Sequence, residues 1–111
     1  MSERSLPPPL EPFPDERGGE GGVRAARERL RAAGVDAYAW SNAPGDRYGA
    51  HEHGTTKLLI CAEGSITFLV GADGRPAELA AGEGFVLPAG TRHAAVVGPH
   101  GCTCLEGHRP A

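Results

Sequence analysis

No apolar run in this sequence extends beyond a few residues. A helical membrane span needs about 20, so none is expected. Charge of one sign is also missing. The formal net charge is −3, which gives neither nucleic acid nor an anionic membrane surface a field to bind. The N-terminal "MSERSLPPPLEPFPDERGGEGG" is rich in proline and charge and lacks the apolar stretch of a secretory signal. Cysteine is scarce and odd in number. Of the three, Cys102 and Cys104 are one residue apart, too close for an easy disulfide. These features point to a reducing, cytoplasmic setting. Lysine is nearly absent, and Lys57 is the only one. At 111 residues the chain suffices for one core and not for two.

Glycine and proline are abundant, with 17 and 10 residues. Pro7, Pro8, Pro9, Pro12 and Pro14 fall in the leader, read as an arm over residues 1–22 that is either poorly structured or strapped down. Val23 to Ala33 is the one helical pattern. Val23, Ala26, Leu30 and Ala33 form a narrow apolar stripe, and Gly34 stands at the C′ position. Arg24, Arg27, Arg29 and Arg31 are read as its solvated face. After Gly34 the period becomes two. "VDAYAWS", "TTKLLICA", "SITFLVG", "PAELA", "GFVLPA", "HAAVV" and "CTCLE" follow at short intervals, with a hairpin loop at "GADGR". Short strands at this cadence, with no second helix, predict an all-β sandwich or barrel over about residues 35–106.

His51 and His53 are spaced i, i+2 and on a strand would share a side. His93 precedes another β-prone run. Three neutral imidazoles can hold a divalent metal and leave positions open for water or substrate. On spacing alone, His-x-His is equally a short string with no common task.

The surroundings add a resemblance. Gly45 to Gly64 reads G-x5-H-x-H-x3-K-x6-G, and Gly82 to Val97 reads G-x5-P-x-G-x2-H-x3-V. The two stretches, separated by 17 residues, resemble the paired motifs of the cupin superfamily and its small single-domain members. Gly45, His51, His53 and Gly64 fit the first motif; Gly82, Pro88, Gly90 and His93 fit the second. The resemblance implies a double-stranded β-helix, a small jelly roll, in a domain spanning residues 23–111 with the helix packed outside. It further implies His51, His53 and His93 as ligands of one divalent transition metal, which three imidazoles do not identify among iron, manganese, nickel, copper and zinc. In "LPAGTRH", Pro88 presets φ and Gly90 can take positive φ before His93.

Two positions depart from the family pattern. Val97 replaces an asparagine that is not a ligand. Lys57 replaces the glutamate ligand, so a cation would face a metal. Three outcomes resolve the conflict: a neutral lysine poised as a base, a charged one awaiting an anionic ligand, or a side chain reaching out to Glu52 or Glu63. Cupins with three histidines alone occur among thiol and diketone dioxygenases, so metal and oxygen chemistry are not forbidden.

His100, Cys102, Cys104 and His108 are suitable zinc ligands in type. On a strand, however, Cys102 and Cys104 share a face while the histidines fall beyond its ends, so ordinary buried cysteines are the expectation. Cys61 shares strand parity with Lys57. The sequence thus predicts a metal-binding cupin taking a small, anionic organic ligand, with Lys57 at the pocket as a candidate catalytic group. As an enzyme it would be an oxygenase, isomerase or lyase; the alternative is a non-catalytic binding or sensor module. Nucleic acid and membrane are not expected partners. Homodimerisation is expected, because an open sheet edge would otherwise be exposed.

Overall fold

The computed structural model describes residues 6–13 and 21–110. The remainder of the leader lies outside the described residues. Strand β1 (Glu11–Pro12) is followed by helix α1 (Val23–Ala32), β2 (Tyr38–Asn42), β3 (Arg47–His51), β4 (Thr56–Val70), β5 (Arg75–Ala80), β6 (Gly84–Leu87) and β7 (His93–Arg109). All pairings are antiparallel.

Two long strands carry the architecture. β4 pairs with β7 along nearly its whole length, from Thr56 opposite Arg109 to Val70 opposite His93. The sequence pattern suggests four short strands here. The structure has two continuous ones, interrupted by register shifts between Cys61 and Glu63 and between Gly64 and Ile66. Gly64 explains the irregularity. Its φ is 74°, and a Cβ there would lie 2.0 Å from the Gly101 carbonyl oxygen. Only a glycine lets the two backbones pass this closely.

The bend divides the pair between two layers. The first half of β4 and the second half of β7 are flanked by β6 with β1 on one side and by β2 on the other. The second half of β4 and the first half of β7 are flanked by β5 and β3. This is the double-stranded β-helix implied by the paired motifs. The hairpin loop at residues 71–74 joins β4 to β5 as the Asp-Gly signal predicts.

"LLICA" is apolar throughout because both faces of β4 are buried. Leu59, Cys61, Ile66, Phe68 and Val70 pack inside the barrel with Phe85, Leu87, Ala95 and Val97. Leu58, Ile60 and Ala62 face outward, beneath Ala26 and Leu30 of α1. The helix ends as its sequence predicts. Gly34 has φ 88°, its N–H donates to the Arg31 carbonyl, and the Val35 N–H donates to Leu30, a Schellman motif sealed by the Leu30–Val35 contact. The arginine face departs from the expected solvated stripe. Arg27 donates to the Ala37 carbonyl at 2.9 Å and Arg29 to the Gly82 carbonyl at 2.7 Å. These bonds fasten the helix to its neighbouring loops. Part of the leader is strapped down as well, with Leu10 and Phe13 buried in the two clusters. No helix among the described residues is long and apolar enough to cross a membrane.

Candidate metal centre

His51 ends β3, where it faces His93, the first residue of β7. His53 lies beyond β3 in the link to β4. The three histidines and Lys57 therefore do not share one strand. The chain turns through Gly54 and Thr55, and Lys57 enters β4 opposite Leu87 and His108. The two motifs are tied directly, since the Gly90 N–H donates to the His53 carbonyl at 2.8 Å. The turn before His93 is closed by Thr91, whose N–H and hydroxyl both donate to the Pro88 carbonyl.

The rings converge. Centroid separations are 4.8 Å for His51–His53, 4.3 Å for His51–His93 and 5.3 Å for His53–His93. One ligand atom from each lies within 4.8 Å of the others, and among the described residues no other such group of histidine, cysteine or carboxylate donors occurs.

Hydrogen bonding sets two of the tautomers. His51 Nδ1 lies 2.7 Å from the Gly49 carbonyl and His93 Nδ1 lies 2.9 Å from the Thr91 carbonyl. A carbonyl only accepts, so each Nδ1 carries a proton, and in the neutral ring Nε2 is then the atom that offers a lone pair. His93 Nε2 is buried and has no hydrogen-bond partner. An orphaned buried acceptor aimed at two other imidazoles is what a divalent cation would satisfy, so the residues fit a metal. Burial pushes the His93 imidazole down to about 4, with the Lys57, His51 and His53 charges adding to the fall and the Thr91 bond opposing it. His53 is lowered too, first by burial and then by Lys57 and His51. Neutral imidazoles are the form that ligates.

Lys57 points inward. It is buried, its Nζ 3.3 Å from Glu106 Oε1 and 3.5 Å from His53 Nε2. The outcome in which it reaches Glu52 or Glu63 is thereby overturned, because a buried carboxylate from β7 meets it first. Glu106 has both oxygens engaged. Trp40 Nε1 donates to Oε1 at 2.9 Å, the Tyr38 hydroxyl donates to Oε2 at 2.6 Å, and His108 Nε2 lies 3.0 Å from Oε2. Burial alone would raise its carboxyl. The Tyr38 bond, the Lys57 charge and the Trp40 and His108 bonds outweigh this and hold it below the usual carboxylate range. Burial, with the Glu106 bond and charge, pushes the Tyr38 phenol up to about 12.

A cavity of about 200 Å³ opens over these groups. Its apolar wall is Trp40, Tyr48, Phe68 and Ala95, and its polar wall is the three histidines, Lys57 and Glu106.

Glu106 is the site residue that sequence reasoning missed. The signal was present: Cys102, Cys104, Glu106 and His108 alternate on one parity, so a strand that buries two cysteines must bury the glutamate between them and His108. The second zinc-like group does not assemble. Cys102 and Cys104 join Cys61 in the barrel interior, whereas His108 bonds to Glu106 and Thr55. All three cysteines are free and buried.

Comparison with known proteins agrees with this geometry. Residues 40–101 match the profile of the cupin domain family. No curated protein matches the chain. Among solved structures, an RmlC-like cupin from Shewanella frigidimarina is 27% identical, with a TM-score of 0.59 over 69% of this chain and 67% of that one. A cupin-2 domain protein from the same organism is 24% identical, with a TM-score of 0.55 over 68% and 69%. The DMSP lyase DddQ from Ruegeria pomeroyi is 24% identical, with a TM-score of 0.61 over 68% of this chain and 38% of that one.

Proposed function

The chain belongs to the cupin domain family, and on that premise we propose that it is a metal-binding cupin whose His51, His53 and His93 hold one divalent transition metal beside a small-molecule pocket. The observation that carries the reading is the unpartnered, buried Nε2 of His93 facing two imidazoles. The bound metal would supply a Lewis acid with positions open to a ligand.

The chain's own groups support a small anionic ligand. Lys57 and Glu106 cancel as an ion pair, and three neutral histidines add no charge. A loaded site therefore keeps the full charge of its ion, which favours an anionic ligand. The volume admits only a small one. Lys57 is the cation of its ion pair, so we assign it to holding the ligand's negative group rather than to abstracting a proton. Trp40, Tyr48 and Phe68 would pack the ligand's apolar part and exclude water.

As an enzyme, such a site suits an oxygenase, isomerase or lyase. The likeness to DddQ, at 24% identity, supports the barrel alone. A non-catalytic carrier or sensor is the second reading. The observation favouring it is that both oxygens of the cavity's carboxylate are engaged, leaving no free carboxylate base in the lining. We place the protein in a reducing cytoplasm, where its three free cysteines remain thiols.

Metal analysis of the purified protein, with Co2+ titration of wild type and His51→Ala, tests the centre. Wild type is expected to bind one equivalent and the variant to lose most of the affinity. Equal binding by both refutes the site. Oxygen uptake and turnover of a panel of small carboxylates then separate enzyme from carrier.

A further inference from the structure

Lys57 places its ammonium between two acceptors, Glu106 Oε1 at 3.3 Å and His53 Nε2 at 3.5 Å. The second acceptor is on a proposed metal ligand. A lysine has a flexible stem and three donors to spend, and the same cluster holds the unpartnered Nε2 of His93. A lysine free to move would spend its donors on the same lone pairs a metal needs. The first acceptor is built very differently. Glu106 is buried and fixed through four contacts, from Tyr38, Trp40, His108 and Lys57 itself. Three of these come from outside the histidine cluster and pin the carboxylate to the β2 side of the barrel, on the strand that pairs Tyr38 with Glu106.

We propose that Glu106 is a positioning residue: its carboxylate holds the Lys57 ammonium short of the His93 lone pair and no nearer than 3.5 Å to that of His53, so that a metal centre can form beside a lysine that stands where a cation-compatible ligand would otherwise be. The tether explains how the barrel tolerates this lysine. It also gives a fixed carboxylate on the last strand a task other than ligation, since both of its oxygens are already spent. The inference rests on the three-histidine metal reading above.

The alternatives predict different couplings. If Glu106 merely adds negative charge near the metal, its removal costs the same whether or not Lys57 is present. If it merely supports the fold, its removal lowers the urea midpoint of the metal-free protein and leaves the Co2+ affinity of the folded chain unchanged in both backgrounds. A tether matters only while there is a lysine to hold. Co2+ dissociation constants, read from the d–d absorption of the bound ion, are therefore measured for Glu106→Gln and Glu106→Asp in the wild-type and Lys57→Met backgrounds. Glu106→Asp keeps the charge but withdraws the carboxylate by one methylene, and it covers the case in which Glu106→Gln does not fold. In the wild-type background each change is expected to weaken Co2+ binding about 10–100-fold, the usual range for groups that orient ligands. In the Lys57→Met background the loss should be at least about tenfold smaller. Equal losses in the two backgrounds, or none in either, overturn the tether while leaving the metal site standing. Failure of the wild type and of Lys57→Met alike to bind Co2+ overturns the metal reading, and the tether with it.

Discussion

The Lys57–Glu106 pair makes an asymmetric prediction about the stability of the metal-free chain. The side chains are 8% and 6% exposed and 3.3 Å apart. At an effective dielectric of about 20 their gross attraction is about 5 kcal/mol, set against the cost of removing both from water. What matters is what each truncation leaves behind. Lys57→Met keeps most of the stem's volume and leaves Glu106 bound by Tyr38 at 2.6 Å, Trp40 at 2.9 Å and His108 at 3.0 Å. The carboxylate stays solvated by the protein, so the cost should be about 1–2 kcal/mol. Glu106→Gln leaves a buried ammonium with no counter-charge, its acceptors reduced to neutral ones, the amide oxygen and the His53 ring nitrogen at 3.5 Å. Breaking a buried pair from this side should cost about 3–5 kcal/mol. Near this chain length 1 kcal/mol shifts the melting temperature by about 4 °C. Urea denaturation followed by circular dichroism, in the presence of a chelator, gives both values directly. Combining the substitutions should cost less than their sum, because no unpaired charge then remains. If Lys57→Met destabilises as much as Glu106→Gln, the three neutral and histidine contacts do not sustain the carboxylate, and the reasoning is wrong.

Acid sensitivity should come from the histidines. His93 is pushed down to about 4 in the folded chain, so the unfolded chain takes the proton first as pH drops below about 6.5. Metal-free stability should fall by about 1.5 kcal/mol between pH 6.5 and 5 on account of His93 alone, with His53 shifted in the same direction; an unchanged urea midpoint over that window contradicts the burial of a neutral ring. Gly64→Ala places a Cβ 2.0 Å from the Gly101 carbonyl oxygen at a φ of 74° and should abolish soluble folded protein, whereas Gly74→Ala, with open space around it, should cost about 1–2 kcal/mol; comparable expression and melting of the two would contradict the close crossing. We further propose that the chain pairs through the β2 edge, where Tyr38 is 51% exposed; sedimentation at micromolar concentration should show twice the 11.5 kDa chain mass, and a sole monomer rejects the pairing.

The architecture was legible because two kinds of signal agreed. The two-residue period predicted strands, and all four motif glycines, Gly45, Gly64, Gly82 and Gly90, take positive φ at turns or crossings that no other residue adopts cheaply. His51, His53 and His93 were legible as a cluster through their place in the motifs. The continuity of β4 and β7 was not, because Gly64 and Gly98 to Gly101 read locally as turns and only the cross-strand contact shows them to be bends. Glu106 was hidden for a different reason. Its parity aimed it inward, but the partners that make its burial tolerable lie far away along the chain, at Tyr38, Trp40 and Lys57. Arg27 and Arg29 escaped for the same reason, since their acceptors are loop carbonyls.

The long β4–β7 pairing also fixes how slowly the centre can come into being. Val70 must find His93, Thr56 must find Arg109, and Tyr38 must find Glu106. Such non-local pairings place a barrel among the slow folders, on the millisecond-to-second scale. The β4–β5 hairpin closes locally through Val70 and Arg75, but His51 meets His93 only when β3 docks on β7. Three imidazoles that only non-local pairing brings together give a metal little to grip before that pairing forms. An ion binding only the finished barrel should therefore leave the folding rate almost unchanged and act on the reverse step, lengthening the lifetime of the native chain.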